Sequence, residues 1–119
     1  MTMKQKLLTK EIEKRFEKHP IYSQQGKEFE AEVLVRFFNP YGAGEWVIIE
    51  AEYDQEQEDW LMYGYCSLGY GFELGYVYLK QLQDLDIKFG PFSTNGIERD
   101  AWLKKGARVK DVLSLEDLM

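Results

Sequence analysis

The sequence predicts a single α+β domain over residues 1–119, with an antiparallel β-meander of about four strands, an N-terminal helix and short additional helices. The chain has 119 residues, which is the usual length of one domain. Hydrophobic residues make up 45% and aromatic residues 15%, enough apolar surface to form a core. The apolar period changes from four residues near the N-terminus to two after residue 31, and no repeat or linker divides the chain.

The N-terminal helix is predicted from Leu8, Ile12 and Phe16, which recur every four residues among lysines and glutamates. Thr9 can cap its first turn. Pro20 ends the helix, because the residue before a proline is pushed out of the helical region.

A hairpin follows, made of strands at residues 33–38 and 46–53 joined by the turn residues 39–44. Strict alternation along the second strand predicts one shared face for Val47, Ile49, Ala51 and Tyr53. On the other face, Arg36 is expected opposite or diagonal to Glu50.

Two further strands are predicted at residues 60–66 and 74–79, after an acidic loop at 54–59. A short helix is expected over residues 79–85. Residues 97–103 and 109–118 are predicted to form short elements of either type.

The segment at residues 63–79 is rich in glycine and tyrosine. A dinucleotide-binding loop does not fit, because Gly69, Gly71 and Gly75 are spaced Gly-x-Gly-x-x-x-Gly and no long helix follows. Direct nucleic-acid binding through stacked tyrosines is disfavoured, since Lys80 is the only base in residues 47–87. Half-buried strands, with glycines in turns or at close backbone approaches, explain the segment best, and a protein-binding tyrosine face is the remaining option.

The net charge of −6 is concentrated in the middle of the chain. Residues 47–87 hold one base and nine acids, whereas each flank carries one more base than acids. Such a surface repels phosphate backbones and acidic lipids and favours a basic protein partner.

The sequence contains few of the residue types that form catalytic or metal sites, so no catalytic residue, metal or cofactor is predicted. Cys66 and His19 are the only thiol and imidazole, and their spacing supports neither a nucleophilic pair nor zinc. Glu50 and Glu52 are expected on one strand face, where two carboxylates can act as acid and base or hold Mg²⁺. They define the alternative function, a small metal-dependent hydrolase or nuclease.

The leading hypothesis is a non-catalytic acidic module that docks a basic protein partner. A sharper form is an anti-defence protein whose acids imitate DNA phosphates. The predicted interaction surface consists of Glu50, Glu52, Asp54, Glu56, Glu58, Asp59 and Trp60. A lone cysteine and the lack of a long apolar stretch predict a cytoplasmic protein without membrane contact, and the oligomeric state stays open.

The order of several short segments resembles a bacterial family of short single-domain proteins of unknown function. These segments lie at residues 7–11, 20–24, 35–40, 46, 63–64, 73–76 (Glu-Leu-Gly-Tyr) and 97–100 (Ile-Glu-Arg-Asp). The resemblance implies a cytoplasmic protein often carried by plasmids, phages or mobile elements, with no assigned catalytic residues. The chain departs from the family pattern in its long acidic stretch at 54–59 and its basic segment at 104–110.

Within that resemblance, six residues are assigned to a structural motif. They are Glu73, Gly75, Tyr76, Glu98, Arg99 and Asp100. An ion pair between Glu73 and Arg99 is predicted to tie the fourth strand to the C-terminal segment.

Overall fold

Four consecutive strands form an antiparallel meander in the computed structural model, which describes residues 6–85, 88, 89, 92, 93 and 96–114. The strands are β1 (Val35–Phe38), β2 (Glu45–Asp54), β3 (Asp59–Ser67) and β4 (Glu73–Tyr78). A separate hairpin pairs β5 (Lys88–Phe89) with β6 (Phe92–Ser93), and β7 (Glu98–Arg99) then adds to the free side of β1. The predicted α+β fold is confirmed, and β7 extends the meander to a five-stranded sheet in the order β4-β3-β2-β1-β7.

Short helical segments lie before, between and after the strands. The helices are α1 (Lys10–Lys18), a 3-10 turn (Glu28–Glu30), α2 (Leu79–Gln83) and α3 (Val109–Val112). The predicted cap of α1 is confirmed, since the Thr9 hydroxyl accepts a hydrogen bond from the Ile12 amide at 3.2 Å. The predicted element at 109–118 begins with α3, while its residues 115–118 lie outside the described part of the chain. None of the described helices has the length and apolar character needed to cross a membrane.

The sheet is covered differently on its two faces. Face A carries Ile48, Ala51 and Met62, which pack under α1 and α2 through side chains such as Phe16 and Leu82. Face B carries Val47, Ile49 and Tyr65, which pack under the 3-10 turn and α3 through Ala31, Val109 and Leu113. The two cores share β2 between them.

A β-bulge in β2 decides which side chains reach each face. Ile48 lies opposite Gly64 and Glu50 lies opposite Tyr63, so Ile49 is an extra residue without a partner on β3. The bulge places Val47 and Ile49 on face B, whereas Ala51 and Tyr53 lie on face A. The prediction of one shared face for these four residues is therefore wrong.

Two predicted charge pairs are also wrong, because strand register and sheet order separate the partners. Arg36 lies opposite Val47 instead of Glu50, and its guanidinium contacts Glu45 at 2.5 Å and Asp100 at 3.2 Å. Glu73 and Arg99 lie on β4 and β7, the two outer strands of the sheet. Four inter-strand steps of about 4.8 Å separate those strands by about 19 Å, too far for an ion pair.

Candidate protein-interaction site

Two members of the predicted interaction surface are buried. The side chain of Glu50 is 2% exposed and that of Asp59 is 6% exposed. Neither residue therefore contributes area to an exposed acidic surface, and both have roles inside the fold.

Glu50 anchors the loop that follows α1. Its two carboxylate oxygens accept hydrogen bonds from the amides of Tyr22 at 2.9 Å and Gln24 at 2.8 Å. The buried Gln24 side chain completes this anchor by bonding both backbone groups of Glu32 and the carbonyl of Ile49 at the bulge. Charge-assisted bonds of this kind hold residues 20–26 against face B.

The carboxylates of Asp54 and Asp59 stabilise local structure at the β2–β3 end of the sheet. Asp54 accepts hydrogen bonds from the amides of Glu56 and Gln57 and, at 2.7 Å, from the hydroxyl of Tyr78. The Tyr78 hydrogen bond lowers the pKa of Asp54 and raises that of Tyr78. Asp59 accepts from the amide of Lys80 at 3.2 Å and so satisfies a free donor in the first turn of α2.

The remaining predicted residues are divided between surface and core. Glu52, Glu56 and Glu58 are exposed. Trp60 is half-buried on face A, where its ring meets Phe16 at 5.2 Å and Tyr53 at 5.5 Å between centroids. The freely available acids of the predicted surface are thus three glutamates, and Trp60 packs against the core.

Face B is left open where it crosses β3 and β4. Directly opposed residues across β2, β3 and β4 share a face, and the register gives three rows on face B here. We call the exposed surface formed by Glu52, Leu61, Tyr63, Leu74, Tyr76 and Tyr78 the open face. Leu74 is 51% exposed and Tyr76 is 53% exposed, so a substantial apolar area on β4 faces solvent.

The outer edge of β4 is also uncovered. Among the described residues, no strand pairs with β4 on the side away from β3. Its sequence contains neither proline nor lysine, the residues that commonly protect a sheet edge. The motif residues Glu73, Gly75 and Tyr76 lie on this strand and are exposed or half-exposed.

A pocket of about 220 Å³ lies between the open face and the loop after α1. Its lining residues are Tyr22, Gln25, Gly26, Glu28, Ile49, Glu50, Tyr63, Leu74 and Tyr76. The rings of Tyr63 and Tyr76 are 4.7 Å apart between centroids. Partial desolvation raises the pKa of Tyr76, and the neighbouring Tyr22 and Tyr63 act in the same direction.

The other motif residues lie at the opposite edge of the sheet. Glu98 and Arg99 form β7, and one oxygen of Asp100 accepts from Arg36 while the other accepts from the amide of Trp102. A broad groove of about 800 Å³ adjoins this cluster, and the indole of Trp102 is 92% exposed beside it. The guanidinium of Arg36 thus pairs with two carboxylates, those of Glu45 and Asp100.

Cys66 and His19 have separate surroundings. His19 contacts Glu32 at 2.7 Å, whereas the Cys66 thiol lies 3.8 Å from the carbonyl oxygen of Gly64. Burial raises the pKa of Cys66 to about 11, the opposite of what an activated nucleophile requires.

The two acids of the alternative hydrolase, Glu50 and Glu52, also have different surroundings. Glu50 and Glu52 lie on one face as predicted, but both oxygens of Glu50 already hold backbone amides. In the described part of the chain, no group of three or more His, Cys, Asp or Glu side chains is arranged to hold a metal ion.

A comparison with known families gives one result. The model for "Protein of unknown function (DUF2958)" matches residues 7–115. The chain belongs to the DUF2958 family. No curated protein and no solved structure matches it. Family membership agrees with the resemblance seen in the sequence and leaves the function of this DUF2958 protein to be argued from its surface.

Sequence reasoning missed the residues of this DUF2958 protein that come from the loop after α1. Tyr22, Gln24 and Glu28 gave no periodic signal, because their contacts with β2 join residues far apart in the chain. The only local hint was the turn-forming Gln-Gln-Gly at residues 24–26, which indicates a loop without indicating what the loop covers.

Proposed function

We propose that this DUF2958 protein is a non-catalytic interaction module that binds a basic, extended segment of a partner protein along β4 and the open face. The observation that carries the proposal is the uncovered edge of β4, with Leu74 and Tyr76 half-exposed beside it. In the described ranges, no group of three or more His, Cys, Asp or Glu side chains supports the metal-dependent alternative.

An extended segment fits β4 for reasons of hydrogen bonding and side-chain placement. A strand added to a sheet edge gains main-chain hydrogen bonds, and its alternate side chains enter pockets on the receiving sheet. Leu74 and Tyr76 supply apolar area on face B, next to the tyrosine-lined pocket. On face A, a second concave surface of about 490 Å³ includes Trp46, Leu68 and Val77. The side chains on both faces of an added strand would therefore contact the protein.

Charge favours a basic segment. Glu52 belongs to the open face, Glu56 and Glu58 are exposed in the β2–β3 turn, and residues 47–87 carry nine acids against one base. A field of this sign speeds association with a positively charged partner and weakens as salt rises.

The identity of the partner belongs to the same proposal. A bacterial nucleic-acid-handling protein, of the host or of a mobile element, has the basic surface needed, because proteins that bind phosphate backbones carry lysine and arginine. Imitation of DNA phosphates against a restriction or CRISPR effector is the sharper form of this idea.

The test is affinity capture of the tagged protein from a bacterial lysate, using an edge variant and a matched control. Tyr76→Lys places a charge on the open face, whereas Tyr41→Lys makes the same change at a residue that is 52% exposed in the β1–β2 turn, away from both surfaces beside β4. We expect the wild type and Tyr41→Lys to capture one basic protein that elutes as salt rises, and Tyr76→Lys to lose it.

Equal capture by both lysine variants would contradict the proposal. So would a dimer, seen by light scattering, that Tyr76→Lys abolishes, because β4 would then pair with a second copy. Neutralising Glu52, Glu56 and Glu58 to glutamine tests the charge argument without touching Asp54 or Asp59, which stabilise the fold. This triple variant should show a flatter dependence of affinity on salt.

A further inference from the structure

We propose that the tyrosine-lined pocket binds the cationic end of an arginine or lysine side chain. The inference rests on the proposed function, because it names the side chain that the partner segment inserts next to β4. The pocket is formed by Tyr22, Glu28, Glu50, Tyr63, Leu74 and Tyr76.

The aromatic walls suit a cation. The rings of Tyr63 and Tyr76 are in contact, with their planes tilted by 46°. Tyr22 is held over the sheet by the hydrogen bond that its backbone amide donates to Glu50. The faces of tyrosine rings attract guanidinium and ammonium groups, more strongly where water is excluded. Tyr76 lines the pocket and is half-exposed, so a ligand can reach its ring.

The deepest charged group in the pocket is the carboxylate of Glu50. Each of its oxygens accepts one backbone hydrogen bond, from Tyr22 or Gln24, which fixes the orientation of the carboxylate. An ionised carboxylate has about four acceptor positions, so it can receive further donors from a ligand. A buried and preoriented carboxylate therefore offers a counter-charge, and the exposed Glu28 adds a second one at the rim.

The rest of the lining selects against other ligands. No lysine or arginine is among the described residues that line the pocket, so an anion would meet two carboxylates and no positive charge there. Apolar atoms of Ile49 and Leu74 match the methylene stem of an arginine or lysine side chain. A neutral polar side chain would leave Glu50 without a charged partner.

The position of the pocket connects it with the edge of β4. Leu74 and Tyr76 belong both to the pocket wall and to the uncovered strand. In a strand added along β4, every second side chain points to face B. An arginine or lysine among those side chains would therefore be directed to the tyrosine-lined pocket.

The experiment uses two small probes that differ in charge and hardly in shape. Nα-acetylarginine N-methylamide and the corresponding citrulline derivative are titrated against the full-length protein while tyrosine ring signals are followed by NMR. We expect saturable shifts of the Tyr63 and Tyr76 rings, with the arginine probe binding at least tenfold more tightly than the citrulline probe.

Two pocket variants and one control locate the binding. Tyr22→Asn removes a wall, and asparagine tolerates the left-handed backbone of this residue, whose φ is 76°. Glu28→Asn removes the rim charge at a second left-handed position, with φ of 49°. Both variants should bind the arginine probe several-fold more weakly than the wild type, whereas Tyr70→Asn in the β3–β4 turn should bind it with unchanged affinity.

Equal binding of the two probes, or equal effects of Tyr22→Asn and Tyr70→Asn, would overturn the proposal. A blocked pentapeptide with a central arginine between valine and threonine should bind more tightly than the single-residue probe. Equal affinity of peptide and probe would assign the pocket to free small cations instead of a partner side chain. Because the probes need no partner, their result is independent of lysate capture, and failure of one experiment is distinguishable from failure of the other.

Discussion

The absence of a side chain at Gly64 lets β2 and β3 approach each other closely. Gly64 lies on β3 opposite Ile48, at the β2 bulge, and it is buried. A Cβ atom built at Gly64 would overlap the carbonyl oxygen of Val47 and lie 2.8 Å from the Cα of Ile48. Both obstacles are backbone atoms, which cannot rotate away as a flexible side chain does.

Gly64→Ala should destabilise the protein by about 3 kcal/mol, because overpacking against backbone forces β2 and β3 apart. Gly75→Ala is the matched control on β4, where a Cβ meets no atom within 4 Å. The control should be neutral or gain about 0.5 kcal/mol, because alanine loses less entropy than glycine on folding. Urea denaturation measures both, and similar free energies of unfolding for the two variants would refute this account.

At the scale of single residues, the sequence predicted what depends on near neighbours. The Thr9 cap is of this kind. The burial of Glu50 and Asp59 was not predictable, because six acids within ten residues indicate a solvated loop. Apart from Trp60, which adjoins Asp59, their backbone donors are Tyr22, Gln24 and Lys80, more than 20 positions away in the chain.

At the scale of elements, the Asp54–Tyr78 hydrogen bond ties the β2–β3 turn to the last residue of β4. The bond requires a deprotonated Asp54, which accepts as a carboxylate, and a protonated Tyr78, which donates as a phenol. The folded pKa of Asp54 is below its ordinary 3.8 and that of Tyr78 is above its ordinary 10.0. By linkage, the stabilisation is present between those ordinary values. It is lost as pH falls through the folded pKa of Asp54 or rises through that of Tyr78.

Tyr78→Phe should therefore lower the melting temperature between pH 4 and 10, where Asp54 is a carboxylate and the wild-type phenol is neutral. The difference from wild type should vanish in stronger acid and in stronger base. Thermal melts across pH measure it, with Tyr53→Phe on β2 as a control that should show no such window. If Tyr78→Phe lowered the melting temperature equally at all pH values, the lost stability would come from packing and not from the hydrogen bond.

The elements themselves were largely predictable, and their register was not. The β1–β2 hairpin and strands β3 and β4 follow from period-two patterns and turn residues, and their observed bounds are close to those predicted. The bulge at Ile49 has no local signal, because one extra apolar residue in an apolar strand leaves the composition unchanged. Strand β7 has two residues, which is too short for any periodic pattern.

At the scale of the whole molecule, the cores on faces A and B both depend on β2. Phe16 packs on one face and Leu113 on the other, with residues of β2 contributing to both clusters. Loss of either core exposes the same strand, so the two faces should unfold together.

Phe16→Ala should destabilise the protein by about 3–5 kcal/mol and Leu113→Ala by about 2–5 kcal/mol, because each leaves a cavity. Both variants should keep one transition, with tryptophan fluorescence and far-UV circular dichroism coinciding. Lys14→Ala, at an exposed position of α1, should change stability by no more than about 0.5 kcal/mol. Two separate transitions in either core variant would contradict the prediction of a single domain.

The charge segregation of the sequence motivated the proposal of a basic partner, whereas the open face could be located only from the fold. Tyr63 and Tyr76 come together only through the β3–β4 register, and the loop after α1 closes the pocket from a distant part of the chain. The charge count also overstated the acidic surface, because it does not distinguish exposed acids from those bonded to backbone amides.

The uncovered β4 has a consequence for how the protein behaves in a crowded cell. An edge with free main-chain groups and apolar side chains accepts any extended chain, including another copy or a nascent polypeptide. Self-repulsion from the net charge of −6 opposes such coalescence at low ionic strength, and salt removes that opposition. In the proposed function a partner segment covers this edge, so protein made in excess of that segment would be exposed to precipitation and proteolysis. Its soluble yield should then follow the supply of the partner more closely than its own rate of synthesis.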